Sequence, residues 1–139
     1  MIDQVACAVA IVLAGLSSLH VFWGVRGSVA SSAFIPEADG RPLFRPRRID
    51  CFAVAMALAV ACFLVLAVRG LVPSPLPAAL TRIGATGVGV AFLLRAVGEF
   101  RYVGFFKRVR GTPFARWDSA LFSPLCFVLG LAGLWVSLG

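Results

Sequence analysis

Four long apolar segments dominate this chain and constrain its fold more than any other feature. They cover about residues 4–25, 51–69, 78–100 and 119–138, and few charged side chains interrupt them. A helix needs about 20 mostly apolar residues to cross a hydrocarbon core of roughly 30 Å. Because each segment has about that length, the sequence predicts an all-α, polytopic membrane protein, a bundle of four transmembrane helices in a single domain.

The amino-acid composition also indicates a bilayer environment. Hydrophobic residues make up 60% of the chain and charged residues 14%, whereas soluble domains have about 45–50% and about 25%. The connections between the spans are too short for a soluble domain. The first segment lacks the basic start of a signal peptide and exceeds the length of its apolar region, so we interpret it as a retained helix.

Basic residues are concentrated in the first and third connections, which hold ten of the thirteen. These are Arg26, Arg41, Arg45, Arg47, Arg48, Arg101, Lys107, Arg108, Arg110 and Arg116. The positive-inside rule places both connections in the cytoplasm and both termini outside. The net charge of +7 is then a topological signal, and the expected partners are the bilayer and its anionic lipid head groups rather than nucleic acid.

The cysteine and histidine pattern gives no sign of a metal or a cofactor. Cys7, Cys51, Cys62 and Cys126 contain no CxxC pair, and His20 is the only histidine. A structural zinc site needs clustered Cys and His ligands, and a bis-histidine haem would need a second copy of the chain. We therefore expect no metal and no cofactor, and we interpret the cysteines as small apolar side chains.

Polar side chains gather at the cytoplasmic ends of the spans, where ionisable groups usually face a partner or a cavity. His20 and Trp23 share a face of the first helix, and Arg95, Glu99 and Tyr102 share a face of the third. With the loop lysine they form a predicted pocket. The candidate ligand-binding residues are His20, Trp23, Arg95, Glu99, Tyr102 and Lys107.

Several of these polar residues also have a purely structural explanation. Asp50 and Asp118 begin the second and fourth segments and are predicted to be helix N-caps. Arg95 and Glu99 are one turn apart and could neutralise each other. His20 could be a structural hydrogen-bonding group instead of a ligand contact or proton carrier. The aromatic members of the set could be interfacial anchors.

The third connection mixes aromatic and basic residues from Arg101 to Arg116. This composition suits a segment that lies in the membrane interface, with its rings among the head groups and its cations on lipid phosphates. A continuation of the third helix beyond Phe100 would place it there. The alternative is a lid whose rings cover the polar pocket, and the sequence does not separate the two.

Several motifs resemble a known family. They are HVFWG at 20–24, GRPLFRP at 40–46, FRYVGFFK at 100–107, and the segments 112–118 and 123–126. Together they are similar to the bacterial family called domain of unknown function 3995, although Phe22 stands where members often have tyrosine. The resemblance implies a small four-helix protein of the bacterial cytoplasmic (inner) membrane, with no assigned activity.

Three functional hypotheses remain open. The first is a non-catalytic binding or accessory protein with a cytoplasm-facing polar pocket for a lipid-like or anionic ligand. The second is an oligomeric transporter subunit for a small molecule or ion, which requires a homo-oligomer because two of the spans are almost devoid of polar groups. The third is a membrane enzyme that uses His20 and Glu99 as an acid–base pair, for which no catalytic motif is present.

Overall fold

The computed structural model describes residues 1–27 and 32–139. Four helices dominate this part of the chain, and each is long and apolar enough to cross a membrane. They are α1 (Ile2–Arg26), α2 (Arg48–Ala67), α3 (Ala78–Val97) and α4 (Pro113–Leu138). The predicted all-α class with four membrane-spanning helices is confirmed.

The end of α3 and the start of α4 differ from the predicted spans, each for a local reason. α3 ends at Val97 instead of residue 100, because Gly98 adopts a φ of 81° that breaks the helical path. α4 begins at Pro113 instead of residue 119. Thr112 Oγ1 accepts a hydrogen bond from Ala115 N at 3.1 Å, and proline suits the first helical position.

The helices alternate in direction and form two hairpins, α1 with α2 and α3 with α4. The hairpins meet through α1 with α4 and, to a similar extent, through α2 with α3. We call the end of the bundle where α1 and α3 finish and α2 and α4 begin the basic end. At the opposite end, Arg69 Nε donates to Asp3 Oδ1 at 2.9 Å and joins the ends of α1 and α2.

The centre of the bundle is an apolar core whose buried side chains come from α1, α2 and α4. Its buried members are Ala6, Val9, Leu13, Ala61, Val65, Leu129 and Val136. Partly buried side chains from α3, Val88 and Phe92, pack against them. The middle of the bundle is therefore apolar, and polar contacts concentrate towards its ends.

Glycines let α3 and α4 approach closely. A Cβ at Gly130 would lie 2.6 Å from Leu93 Cγ, and one at Gly89 would lie 2.9 Å from the backbone nitrogen of Leu134. Larger side chains at either position would push the helices apart. This is the packing that small residues allow between membrane helices, where backbone contact replaces the hydrophobic driving force.

The connection from α1 to α2 contains a small hairpin that the sequence analysis did not predict. A short 3₁₀ turn, Ser32–Phe34, precedes strands β1 (Glu37–Ala38) and β2 (Arg41–Pro42), which pair antiparallel. Asp39 and Gly40 between them have φ values of 51° and 73°. Positive φ at both central residues is typical of a type I′ turn, for which Asp-Gly is a preferred sequence.

Candidate functional site

A cavity of about 190 Å³ lies at the basic end, between α1, α2 and their connecting loop. His20 and Trp23 line it from α1, because residues three apart lie on one side of a helix. Asp50 and Cys51 line it from the first turn of α2. The loop and helix side chains that complete the wall are apolar: Phe34, Phe44, Pro46 and Val54.

One ring nitrogen of His20 is already occupied. Its Nδ1 lies 2.8 Å from the carbonyl oxygen of Leu16. A carbonyl oxygen can only accept, so Nδ1 must carry a proton. The ring also packs edge-on against Trp23, with 5.1 Å between ring centroids. Nε2 has no hydrogen-bond partner within residues 1–27 and 32–139, and it is the atom that could bond to a ligand in the cavity.

A row of aromatic rings connects this cavity to α4. Trp23 packs on Phe34 with centroids 4.9 Å apart, and Phe34 stacks on Phe122 at 5.8 Å. Phe122 in turn contacts Phe114 at 6.1 Å. The α1–α2 loop is thereby held between the two hairpins, and its ring Phe34 forms both a cavity wall and a contact with α4.

A second polar site, next to α4, is built around the carboxylate of Asp118, which is fully buried. Arg95 Nη2 donates to Oδ1 at 2.8 Å, and Lys107 Nζ donates to Oδ2 at 2.9 Å. Oδ2 also accepts from the backbone nitrogen of Gly104 and from Ser123 Oγ, at 2.9 and 3.0 Å. We call Asp118, Lys107, Arg95, Gly104 and Ser123 the Asp118 network.

Lys107 is as deeply buried as the carboxylate that it contacts. Its side chain is 1% exposed, and its ammonium group also donates to Gly104 O at 3.0 Å and to Ser119 Oγ at 2.7 Å. A buried ammonium is tolerated only when it is paired and hydrogen-bonded. All three donor sites of Lys107 are satisfied in this way, so the residue has no free capacity for a ligand.

Asp118 lies where α4 changes its helical pitch. Residues Asp118–Phe122 form a π-helical turn between two α-helical parts. Ser123 N donates to Asp118 O, five residues back, which aligns the Ser123 hydroxyl with the Asp118 carboxylate. Pro124 follows and lacks the N–H of a regular helix, so a widened turn before it is expected. Such turns are frequent at functional positions.

The loop after α3 folds back against the end of that helix. Gly98 and Gly104 have φ values of 81° and 91°, and a Cβ on either would overlap backbone atoms of the other strand of the loop. Phe105 N donates to Ala96 O at 2.8 Å. This return brings Gly104 and Lys107 to Asp118. The segment after Phe100 is therefore not a continuation of α3.

The six candidate ligand-binding residues do not form one pocket. His20 and Trp23 line the cavity, whereas Arg95 and Lys107 belong to the Asp118 network. The local pair expected between Arg95 and Glu99 is absent from the described residues, since Arg95 instead pairs with Asp118. The helix ends at Val97, so Glu99 no longer shares a helical face with Arg95.

Glu99 and Tyr102 meet each other outside both sites. Glu99 is exposed, and its carboxylate accepts a hydrogen bond from the backbone nitrogen of Tyr102. The Arg101 guanidinium lies over the Tyr102 ring, with Cζ 5.1 Å from the ring centroid. Neither residue lines the cavity that contains His20.

The two predicted N-cap residues occupy different positions from those expected. Thr112 caps α4, so Asp118 as N-cap is wrong; it lies one and a half turns into the helix, where its carboxylate binds side chains instead of free helix N–H groups. Asp50 is the third residue of α2, and its Oδ2 accepts from the Arg47 backbone nitrogen at 2.9 Å. It therefore makes one half of a capping box, in which the third helical residue accepts from the cap residue's N–H, while the Arg47 side chain has no acceptor for the other half.

The described residues offer no group of three His, Cys, Asp or Glu side chains that could hold a metal ion. The four cysteines, Cys7, Cys51, Cys62 and Cys126, are free thiols. Cys62 Sγ lies 3.4 Å from Ala10 O, which is a weak helix-to-helix contact between α1 and α2.

The central role of Asp118 was not predicted from the sequence. A signal was present, because residues 70–139 contain only two carboxylates, Glu99 and Asp118, and a cation at membrane depth needs one. Arg95 was assigned to the nearest carboxylate along the helix, Glu99. The pairing with Asp118 crosses 23 residues and depends on the antiparallel packing of α3 and α4, which spacing along one helix does not describe.

The fold and these two sites define a multi-pass membrane protein with four spanning helices and a polar, partly buried basic end. The chain belongs to the family described as Protein of unknown function (DUF3995), which matches residues 13–133. The match includes the cavity residues and the whole Asp118 network. No curated protein and no solved structure matches the chain.

Proposed function

We propose that this protein is a non-catalytic binding or accessory protein that holds a small lipid-like ligand at its basic end. The observation that carries the proposal is the cavity between α1 and α2, an apolar space next to a histidine whose Nε2 has no partner among the described residues. A largely apolar pocket with a few placed polar groups is the usual form of a small-molecule site.

The size and lining of the cavity narrow the ligand class. About 190 Å³ is below the roughly 300–1,000 Å³ of pockets for drug-sized ligands, so the cavity suits one ring or one polar head of a larger lipid-like molecule. The Asp50 carboxylate in its wall disfavours an anionic group there. An uncharged polar head that hydrogen-bonds to His20 Nε2 fits this lining better.

The proposal changes the roles of the other candidate residues. Trp23 stays a ligand contact, since its ring forms part of the cavity wall. Arg95 and Lys107 become positioning residues that hold the α3–α4 loop on Asp118. Their charges are committed to that carboxylate and do not reach the cavity.

Transport by a single copy of the chain has less support. A transporter needs polar groups or broken helices near the bilayer midplane, whereas the middle of this bundle is the apolar core around Leu13, Val65 and Leu129. The acid–base enzyme hypothesis is also weakened, because His20 and Glu99 line different pockets.

The proposed location is the bacterial cytoplasmic membrane, with the basic end in the cytoplasm and both termini outside. The support is the concentration of arginine at that end: Arg26, Arg41, Arg45 and Arg48 flank the first hairpin, and Arg101 and Arg108 the second. Basic residues are retained on the cytoplasmic side during insertion. The anionic inner leaflet would then face these side chains.

Native mass spectrometry of the detergent-purified protein tests the ligand proposal. The wild type should carry an amphipathic adduct from the host membrane. Val54→Trp should lose it by filling the cavity, whereas Val60→Trp, a similarly exposed position elsewhere on α2, should retain it. A wild type without an adduct, or an adduct that survives in Val54→Trp, would contradict the proposal.

A second pair of variants tests the role of the histidine. His20→Ala should release the adduct with little change in melting temperature, because the ring is only partly buried and Nδ1 bonds within its own helix. Ser18→Ala is the matched control, since its hydroxyl also bonds one turn back, to Ala14 O. Equal retention in both variants would remove His20 from the ligand site.

A further inference from the structure

A second groove, separate from the His20 cavity, lies on the α3–α4 loop at the basic end. Its volume is about 460 Å³, and it is lined by Glu99, Phe100, Arg101, Arg108 and Val109. The groove is open along one side of the bundle. It shares no lining residue with the His20 cavity.

Backbone hydrogen bonds hold the main-chain positions of the two groove arginines next to each other. Arg108 N and Val109 N both donate to the carbonyl oxygen of Arg101, at 3.1 and 2.9 Å. The loop that carries them is fixed from below, because Gly104 N bonds to the buried Asp118 carboxylate at 2.9 Å. The backbone that forms the groove is therefore ordered by hydrogen bonds.

The charges in the groove are unbalanced in favour of the cations. Within residues 1–27 and 32–139, the ion pairs involve Arg47, Arg69, Arg95 and Lys107, and neither groove arginine. Glu99 is the one carboxylate of the lining, and it bonds to a backbone nitrogen. Two guanidinium groups against one carboxylate leave an excess positive charge, which an anion would neutralise.

Two exposed aromatic rings lie at the groove: Phe100 lines it, and Phe106 contacts Phe100. Phe100 is 55% exposed and Phe106 is 62% exposed, and their ring centroids lie 6.3 Å apart. Phe100 also has a φ of 68°, a left-handed conformation that residues with a Cβ rarely adopt. Exposed aromatic rings are unfavourable in water. They suit the membrane interface, where aromatic rings accumulate.

The groove lies in the connection between two spanning helices, where lipid phosphates are expected. α3 ends at Val97 and α4 begins at Pro113, so residues 98–112 leave and re-enter the membrane at one boundary. Arginine matches phosphate oxygens with two parallel hydrogen bonds. We propose that this groove binds the phosphate of an anionic phospholipid through Arg101 and Arg108, with Phe100 and Phe106 inserted between neighbouring lipids.

Lipid titration followed by native mass spectrometry tests the proposal. The probes are phosphatidylglycerol and phosphatidylcholine, added to delipidated full-length protein in detergent. The wild type should bind phosphatidylglycerol more tightly. R101Q/R108Q should weaken that binding about tenfold or more, since each interfacial arginine raises the affinity for an anionic lipid by about fivefold. R101K/R108K, which keeps the charge but loses the bidentate geometry, should fall between the two.

The matched control is R41Q/R45Q, which removes two exposed arginines from the other loop of the basic end. It should keep phosphatidylglycerol affinity within about twofold of the wild type, well inside the tenfold step. An equal loss in the control would show a general charge effect and overturn the site. A wild type that does not discriminate the two lipids would overturn it as well. So would displacement of the lipid by equimolar inorganic phosphate, which would mean that a soluble anion is the ligand.

Discussion

Lys107 Nζ donates a hydrogen bond to Asp118 Oδ2 at 2.9 Å, and the two side chains are 1% and 0% exposed. The pair joins the α3–α4 loop to α4 at the point where that helix takes a π-helical turn. Arg95 holds the other carboxylate oxygen. Because the single carboxylate organises two cations and a backbone turn, it is the polar residue on which the basic end depends most.

Replacement of the buried carboxylate should be costly. Asp118→Asn leaves Lys107 without a counter-charge, and breaking a buried ion pair costs about 3–5 kcal/mol. We expect a clear drop in melting temperature in detergent, measured by intrinsic fluorescence. Asp50→Asn is the control, since its pair with Arg47 is exposed on both sides. Equal melting temperatures for the two variants would mean that Asp118 is not a buried ion-pair partner.

The coupling between Lys107 and Asp118 should be measurable in a double-mutant cycle. Lys107→Met leaves Asp118 with Arg95 as its remaining partner, and Asp118→Asn leaves both cations without a counter-charge. In the double variant only Arg95 is left uncompensated. The double variant should therefore be more stable than the sum of the two losses, by about 1–3 kcal/mol for residues in direct contact. Thermal melts of the four proteins in one detergent give the value, and strict additivity would argue against the contact.

The glycines of the α3–α4 loop should not tolerate a side chain. Gly104→Ala places a Cβ at a φ of 91° and against the carbonyl of Val97. The left-handed backbone alone costs about 1–2 kcal/mol, and the overlap adds to it. Gly111→Ala is the control because its Cβ would meet open space. Size-exclusion profiles after a heat step should show loss of monodisperse protein for Gly104→Ala at a lower temperature than for Gly111→Ala.

The helices could be predicted from the sequence because membrane spans depend on length and hydrophobicity within each segment. The ends were harder, since Gly98 stops α3 through its own backbone conformation and Thr112 starts α4 before the apolar run. The Asp39-Gly40 hairpin had a recognisable local signal in its dipeptide. The local sequence pattern therefore predicts most of the secondary structure.

The candidate site was only partly predictable, for a physical reason. His20 and Trp23 lie on one helical face, so their spacing indicated that they belong together, and both line the cavity. The Asp118 network instead combines α3, a returning loop and a π-helical turn. Contacts of that kind depend on how the elements pack, and the spacing of Arg95 and Glu99 suggested a pair that the helix end at Val97 removes.

The proposed orientation predicts which loops a membrane-impermeant reagent can reach. On a chain with its four cysteines replaced by alanine, Arg45→Cys reports the basic end and Leu71→Cys the opposite end, and both positions are exposed. The positive-inside rule places the basic end in the cytoplasm. In spheroplasts, a charged maleimide should therefore label Leu71→Cys, whereas Arg45→Cys should react only after the membrane is permeabilised. Labelling of Arg45→Cys in intact spheroplasts would reverse the orientation.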